Sequence, residues 1–208
     1  MPRRKLDLDL GAGRPLLCLE WPGAPGAKTV ALIAGDRQPL AWDEFASKLA
    51  GERRVVALPP EGGADLLAAL RAVGGPPVLV AHGQAGRAAC SVAASDPGDL
   101  LALVLADYAP AAGSAEPRRL TVPTLILRGR QSTLLDHAAA VALHQAMPGS
   151  RLIEPEDCGA WPFGSCPEAA ATAVRWFVSE LAAPFMEFAV PEASEPVDPQ
   201  AARKAPPL

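Results

Sequence analysis

The sequence predicts an α/β protein, a mostly parallel, doubly wound sheet of about eight strands, and three observations carry that prediction. Short β-rich runs alternate along the chain with alanine-rich stretches of helical length. Several of those runs are continuously apolar, as strands covered on both faces are, instead of alternating apolar with polar. The length of 208 residues, with 50% hydrophobic, allows one good core and not two ordinary ones.

Taken in order, Lys5–Leu10 and Pro15–Trp21 form an opening antiparallel hairpin turned at Gly11-Ala12-Gly13. Thr29–Ala34 is the next strand, Ala41–Ala50 a helix, Arg54–Leu58 a strand and Ala64–Val73 a helix. Pro77–Ala81 is a strand that feeds a helix from Gln84 to Ser95. Leu101–Ala106, and Thr124–Arg128 between its two ends, are continuously apolar and read as buried strands. A helix Leu135–Met147, a strand Arg151–Glu154 and a helix Pro167–Ala183 complete the domain. That last helix opens on a proline, whose missing N–H costs nothing there, and Ala170, Val174, Phe177 and Leu181 give it one apolar face. The domain is therefore expected to span 1–183, with 184–208 as a tail carrying six prolines. The block Phe185–Val190 is too apolar for a free linker and is expected to dock on the chain's own surface or a partner's.

Composition excludes several classes. A formal net charge of −4, with no basic cluster beyond Arg3-Arg4-Lys5, gives nothing to draw a phosphate backbone, so no nucleic-acid partner is expected. No apolar run approaches the roughly 20 residues of a membrane span. The N-terminus lacks an apolar core of signal-peptide type, and the cytoplasm is the expected location. Cys18, Cys90, Cys158 and Cys166 form no C-x-x-C pair and the histidines are only His82, His137 and His144, so neither a metal nor a cofactor is expected. In a reducing compartment the four read as buried or loop thiols; Cys158 and Cys166 share one loop, which does not by itself make a bond.

The segment at 75–86, Gly-Pro-Pro-Val-Leu-Val-Ala-His-Gly-Gln-Ala-Gly, is a strand, a tight turn and a helix start. It resembles the nucleophile elbow of the α/β-hydrolase family, whose pattern is small-x-nucleophile-x-small. Ala81, Ala85 and Gly86 supply the small residues, and Gly83 stands at the nucleophile position. Four further segments extend the resemblance to about 5–183. Ala34-Gly35-Asp36 is similar to the oxyanion loop, and Val55-Val-Ala-Leu-Pro-Pro-Glu-Gly to the fourth strand and its turn. Val122-Pro-Thr-Leu-Ile-Leu-Arg-Gly-Arg-Gln-Ser resembles the seventh strand, with Ser132 where the family places its triad acid. Asp157-Cys-Gly-Ala-Trp-Pro resembles the histidine loop, with Ala160 at the histidine position.

The resemblance implies a cap-less α/β-hydrolase fold, because residues 108–120 barely exceed the dozen or so that a parallel crossover needs. It also implies a degenerate site. The triad mechanism requires a hydroxyl or thiol beside an imidazole that a carboxylate orients, and Gly83, Ser132 and Ala160 supply none of these. Asp107, Asp136 and His137 are titratable groups nearby with no nucleophile to activate, and Asp136-His137 reads as the start of a solvated helix. The pocket residues singled out are Asp36, His82, Gln84, Tyr108 and Trp161. Asp36 is either a solvated loop residue or a base or cation holder, and His82 a packing residue or a ligand contact. Tyr108, Trp161 and Phe163 are either pocket walls or core. The expected function is non-hydrolytic binding of a small-molecule ligand or a protein partner. The alternatives are a cyclase, lyase or isomerase that uses the vestigial pocket, and a subunit that pairs with an active paralogue.

Overall fold

The structure, a computed structural model, describes residues 2–11, 15–59, 66–111 and 117–182. The tail expected at 184–208, with its apolar block, lies outside these residues, as does most of the hairpin turn at 11–13.

The strands are β1 Arg4–Leu8, β2 Leu16–Trp21, β3 Thr29–Ala34, β4 Arg54–Ala57, β5 Val78–His82, β6 Ala102–Ala106, β7 Thr124–Leu127 and β8 Arg151–Ile153. They form one sheet in the order β1-β2-β4-β3-β5-β6-β7-β8. The first two strands pair antiparallel, β2 joins β4 antiparallel, and every later pairing is parallel. The helices are α1 Asp43–Leu49, α2 Leu66–Val73, α3 Ala85–Ser95, α4 His137–Ala146, α5 Pro162–Ser165 and α6 Pro167–Ala182. Among the described residues nothing forms a cap between β6 and β7, and no helix is long and apolar enough to cross a membrane.

The period-2 alternation of strands divides the core in two. Leu79 and Ala81 of β5 and Leu103 and Leu105 of β6 face α2, α3 and α4. Val78 and Val80, with Ala102, Val104 and Ala106, face α1, α5 and α6, where Trp42, Phe45 and Phe163 are fully buried. Each such aromatic or large aliphatic contributes on the order of 1.5–3 kcal/mol through the apolar area it withdraws from water.

Differences from the expected boundaries have local causes. The helix expected over Ala41–Ala50 is a 3₁₀ turn, Pro39–Trp42, followed by α1, because Pro39 sets the first turn and Asp43 is held by the Trp21 indole N–H at 3.1 Å. The helix expected from Leu135 begins at His137, since the Asp136 carboxylate caps it by accepting from the Ala139 N–H at 2.7 Å. The one-turn helix α5 falls in what reads as loop. Cys158 and Cys166, read from sequence as loop thiols, are joined as a disulfide with Cα atoms 5.5 Å apart, while Cys18 and Cys90 are free and buried.

At the sheet's edge Glu20 is almost fully buried and accepts from the guanidinium groups of Arg4 and Arg54. Burial alone pushes this carboxyl up, but the two arginines outweigh it and hold it below its ordinary value.

Candidate functional site

The chain runs outward from β3 to β4 and then returns past β3 to begin β5, so the strand order reverses between β3 and β5. The crevice outside the carboxyl ends of strands at such a reversal is where open α/β sheets bind ligands. A cleft of about 430 Å³ lies there. Gly35 and Asp36 after β3, His82, Gly83 and Gln84 at the end of β5, Asp107 and Ala109 after β6, and Leu134 after β7 line it.

Gly83 is the pivot. Its φ of 55° is the left-handed conformation that glycine adopts at little steric cost, and its N–H donates to the Ala106 carbonyl at 2.9 Å, tying the turn to β6. The chain then enters α3 through Gly86, which must be glycine for packing: a Cβ there would run into the Tyr108 ring. Tyr108, expected as a possible pocket wall, is accordingly buried in the core and does not line the cleft. Gly35 lies against the same turn, its ideal Cβ position 3.6 Å from the Ala85 nitrogen.

His82 points to the face that carries α1, α5 and α6. Its Nε2 lies 2.7 Å from the Ala160 carbonyl oxygen, which only accepts, so the ring donates from Nε2 and leaves Nδ1 as a buried acceptor with no hydrogen-bond partner among the described residues. Burial pushes its pKa down; the Ala160 bond and Asp36 pull up, and Arg37 pushes down. The ring stands edge-on to Trp161 at 4.7 Å between centroids, and Trp161 also meets Trp42 at 4.8 Å and carries the Arg37 guanidinium 4.4 Å above it. Trp161 is half-buried and Phe163 fully buried; both belong to this aromatic packing and neither lines the cleft.

Asp107 closes the apolar run of β6. It is 2% exposed, has a φ of 48°, and neither carboxylate oxygen makes a well-formed hydrogen bond among the described residues. Burial pushes its pKa up to about 6; the Ser132 hydroxyl, the Gly129 N–H and Arg128 act in the opposite direction without offsetting it. Arg128 is engaged elsewhere, donating to the Leu135 and Arg130 carbonyls and pairing with Glu154 at 2.7 Å.

The three positions expected from sequence to stand where a triad would be, Gly83, Ser132 and Ala160, all lie on loops that follow parallel strands of the sheet. Gly83 follows β5, Ser132 lies on the loop after β7 beside Asp107, and Ala160 lies on the loop after β8, its carbonyl on His82. The last two loops are locked together: the Gln131 N–H donates to the Cys158 carbonyl at 2.8 Å, and a Cβ at Gly129 would strike the Cys158 and Gly159 carbonyls. His137 is exposed and bound to Glu154 at 2.8 Å, away from the cleft's lining. In sequence, Asp107 is only a charged residue that ends a strand, and nothing there distinguishes Ala109 or Leu134. Their part in the cleft appears once β6 and β7 are laid side by side.

No family model matches the sequence, and no curated protein does. Among solved structures the chain is similar to a bacterial membrane phospholipase A, at 17% identity and a TM-score of 0.75, covering 88% of this chain and 87% of that one. It is similar to a carboxylesterase from Bacillus subtilis, at 12% identity and a TM-score of 0.75, with 86% and 93% covered. A bromoperoxidase from Bacillus anthracis aligns at 12% identity and a TM-score of 0.71, with 85% and 100% covered. The chain has the α/β-hydrolase fold, with no cap domain among the described residues.

Proposed function

We propose that this α/β-hydrolase-fold protein binds a small-molecule ligand in the cleft, or uses the fold in an accessory role, without hydrolysing esters. The observation that supports the reading is Gly83. It occupies the strand-to-helix turn with a φ of 55° and no side chain, and no described residue lining the cleft carries a hydroxyl, thiol or amine. Acyl transfer needs such a group within hydrogen-bond reach of an imidazole. The one imidazole at the cleft, His82, has its Nε2 engaged with the Ala160 carbonyl. The structural neighbours include a phospholipase, a carboxylesterase and a bromoperoxidase, a spread of chemistry that leaves function to the site and not to the fold. The folded unit on this reading is 1–183 with 184–208 apart, acting in the cytoplasm.

A second reading, an enzyme of cyclase, lyase or isomerase type that works without a covalent step, is favoured by Asp107. A buried carboxyl that titrates at about 6 is suited to take a proton near neutral pH.

The test is exposure of the full chain to a fluorophosphonate probe and to a chromogenic ester. The expected outcome is no covalent adduct by mass spectrometry and turnover equal to that of an inert protein. A stoichiometric adduct with burst release of the chromophore would show that a nucleophile exists and overturn the reading.

A further inference from the structure

We propose that the Cys158–Cys166 disulfide is a redox-operated clasp on the wall of the cleft. Closed, it holds the loop after β8 against His82; a thiol opens it by attack at Cys166 and frees that loop while the domain stays folded. The inference does not depend on whether the cleft catalyses.

The bond joins residues eight apart in sequence, with Cα atoms 5.5 Å from each other. Between them lie two groups that hold His82, a residue of the cleft's lining. The Ala160 carbonyl accepts from its Nε2 at 2.7 Å, and the Trp161 ring stands edge-on to its ring at 4.7 Å between centroids. The side-chain ties inside this loop are exposed to water: the Ser165 hydroxyl accepts from the Gly159 N–H at 3.1 Å and donates to the Trp161 carbonyl at 2.9 Å. Anchors that do not need the disulfide lie around it. The Gln131 N–H holds the Cys158 carbonyl at 2.8 Å, Phe163 is fully buried, and the Cys166 carbonyl accepts from the Ala170 N–H at 3.0 Å. Opening the bond therefore loosens 159–161, and with it the seat of His82, and leaves the ends of the loop in place.

The two sulfurs differ in access and in setting. Cys158 is fully buried and Cys166 half-buried, so an incoming thiolate reaches Cys166. Cys166 also stands immediately before α6, and its carbonyl accepts the first bond of that 16-residue helix. A thiolate at a helix N-terminus is stabilised, and a disulfide whose reduced form is stabilised is the more readily reduced. Glu168 in the same turn opposes this, but it is paired with Lys48 at 3.2 Å and Arg175 at 2.9 Å. Where thiols are kept reduced, as in the cytoplasm proposed for this chain, disulfides are transient or redox-sensing.

The exchange runs in two steps. A thiolate attacks the Cys166 sulfur, a mixed disulfide forms, and the bond to Cys158 breaks with its electron pair going to the Cys158 sulfur, which takes up a proton. A second thiolate attacks the reagent's sulfur in the mixed disulfide, and the Cys166 sulfur leaves with its pair and is protonated in turn. In sum two thiols become one disulfide and give two electrons and two protons to Cys158 and Cys166. Closure is the reverse, with a disulfide as oxidant. Cys18 takes no part, because burial pushes its thiol up to about 12 and keeps it protonated.

The experiment equilibrates the full ¹⁵N-labelled chain with mixtures of reduced and oxidised glutathione, counts thiols by alkylation and mass, and reads backbone amides and their hydrogen exchange. The bond is expected to be closed in oxidised glutathione and to open in mixtures that leave structural disulfides intact, with the transient glutathione adduct on Cys166. Opening is expected to shift the amides of Gly83 and Gln84. It should lower the protection of Gly159 and Gly164 by about tenfold, and by no more than about sixtyfold, the ceiling set by loop-closure entropy at this separation. Amides of β5 and β6 are expected to keep their protection. Cys166→Ser, which leaves a capping hydroxyl at the start of α6, is expected to show the open spectrum in every mixture. The proposal is overturned if the bond does not form in oxidised glutathione, if it resists reduced glutathione, or if the adduct is found on Cys158. It is equally overturned if the Gly83 and Gln84 amides are the same open and closed. Lost protection throughout β5 and β6 on reduction also overturns it, because the bond would then be a structural tie and not a clasp. These readings are made on the wild-type chain and decide the matter whether or not the variant folds.

Discussion

Substituting Gly83 by alanine isolates the backbone term at the turn between β5 and α3. At a φ of 55° a residue with a Cβ costs about 1–2 kcal/mol relative to glycine, from the contact between Cβ and the neighbouring carbonyl oxygen. No packing term adds to it, because an ideal Cβ at Gly83 meets nothing within 4 Å. Alanine also narrows the unfolded ensemble, which returns about 0.4–1 kcal/mol. The balance is a loss of about 1 kcal/mol, or about 2–4 °C in melting temperature for a domain of this size. Urea and thermal unfolding of the two proteins read it directly. Gly98 provides the control: its Cβ also meets nothing within 4 Å, its φ is not in the left-handed region, and alanine there is expected to be neutral or stabilising. If Gly83→Ala is as stable as the wild type, residue 83 is not held in the left-handed conformation and the resemblance to a nucleophile elbow fails at its centre. A loss several times larger would mean a steric collision and hence a different packing of the turn.

Gly129→Ala is expected to cost far more than Gly83→Ala, and to loosen the pairing of the loops after β7 and β8, because its Cβ would meet the backbone carbonyls of Cys158 and Gly159, which cannot swing aside; denaturant unfolding checks the order. Asp107→Asn should raise stability at neutral pH by up to about 3 kcal/mol, since the folded protein holds this proton up to about 6 while the unfolded chain releases it near 3.9, so that the penalty is absent below pH 4 and complete above the folded value. A gain in melting temperature that did not shrink on acidification would refute the assignment. The triple change Gly83→Ser, Ser132→Asp, Ala160→His is expected to give at most weak turnover of a chromogenic ester, because an imidazole added at 160 enters a loop whose carbonyl already holds His82 and whose supports were not built to orient it.

The parallel strands were legible because their interiors are continuously apolar. Leu101–Ala106 and Thr124–Arg128 each contain the observed strand, and Thr29–Ala34 matches β3 residue for residue. What escaped is tertiary. That Tyr108 lies in the core and not on the cleft follows from the absence of a side chain at Gly86, two elements away in the chain. The disulfide depends on the path taken by residues 158–166, including the single turn of α5, too short to leave a periodic signal. The strand-to-helix turn at Gly83 was legible in outline, since a small residue on either side of such a turn is a local pattern. Asp107 could not be graded from sequence at all, because whether a strand-end carboxylate finds donors is decided by Ser132, Gly129 and Arg128 on a neighbouring loop.

Gly83 and Asp107 sit side by side at the carboxyl ends of adjacent strands, both at positive φ, and their energetics run in opposite directions. At 83 the conformation is held by the residue that bears it with least strain, and there is no side chain. At 107 it is held by a residue with a Cβ, which costs about 1–2 kcal/mol, and that residue also buries a carboxylate without well-formed donors. Glycine or asparagine at 107 would relieve part or all of this and leave β6 and its hydrogen bond from the Asp107 N–H to the Leu127 carbonyl intact.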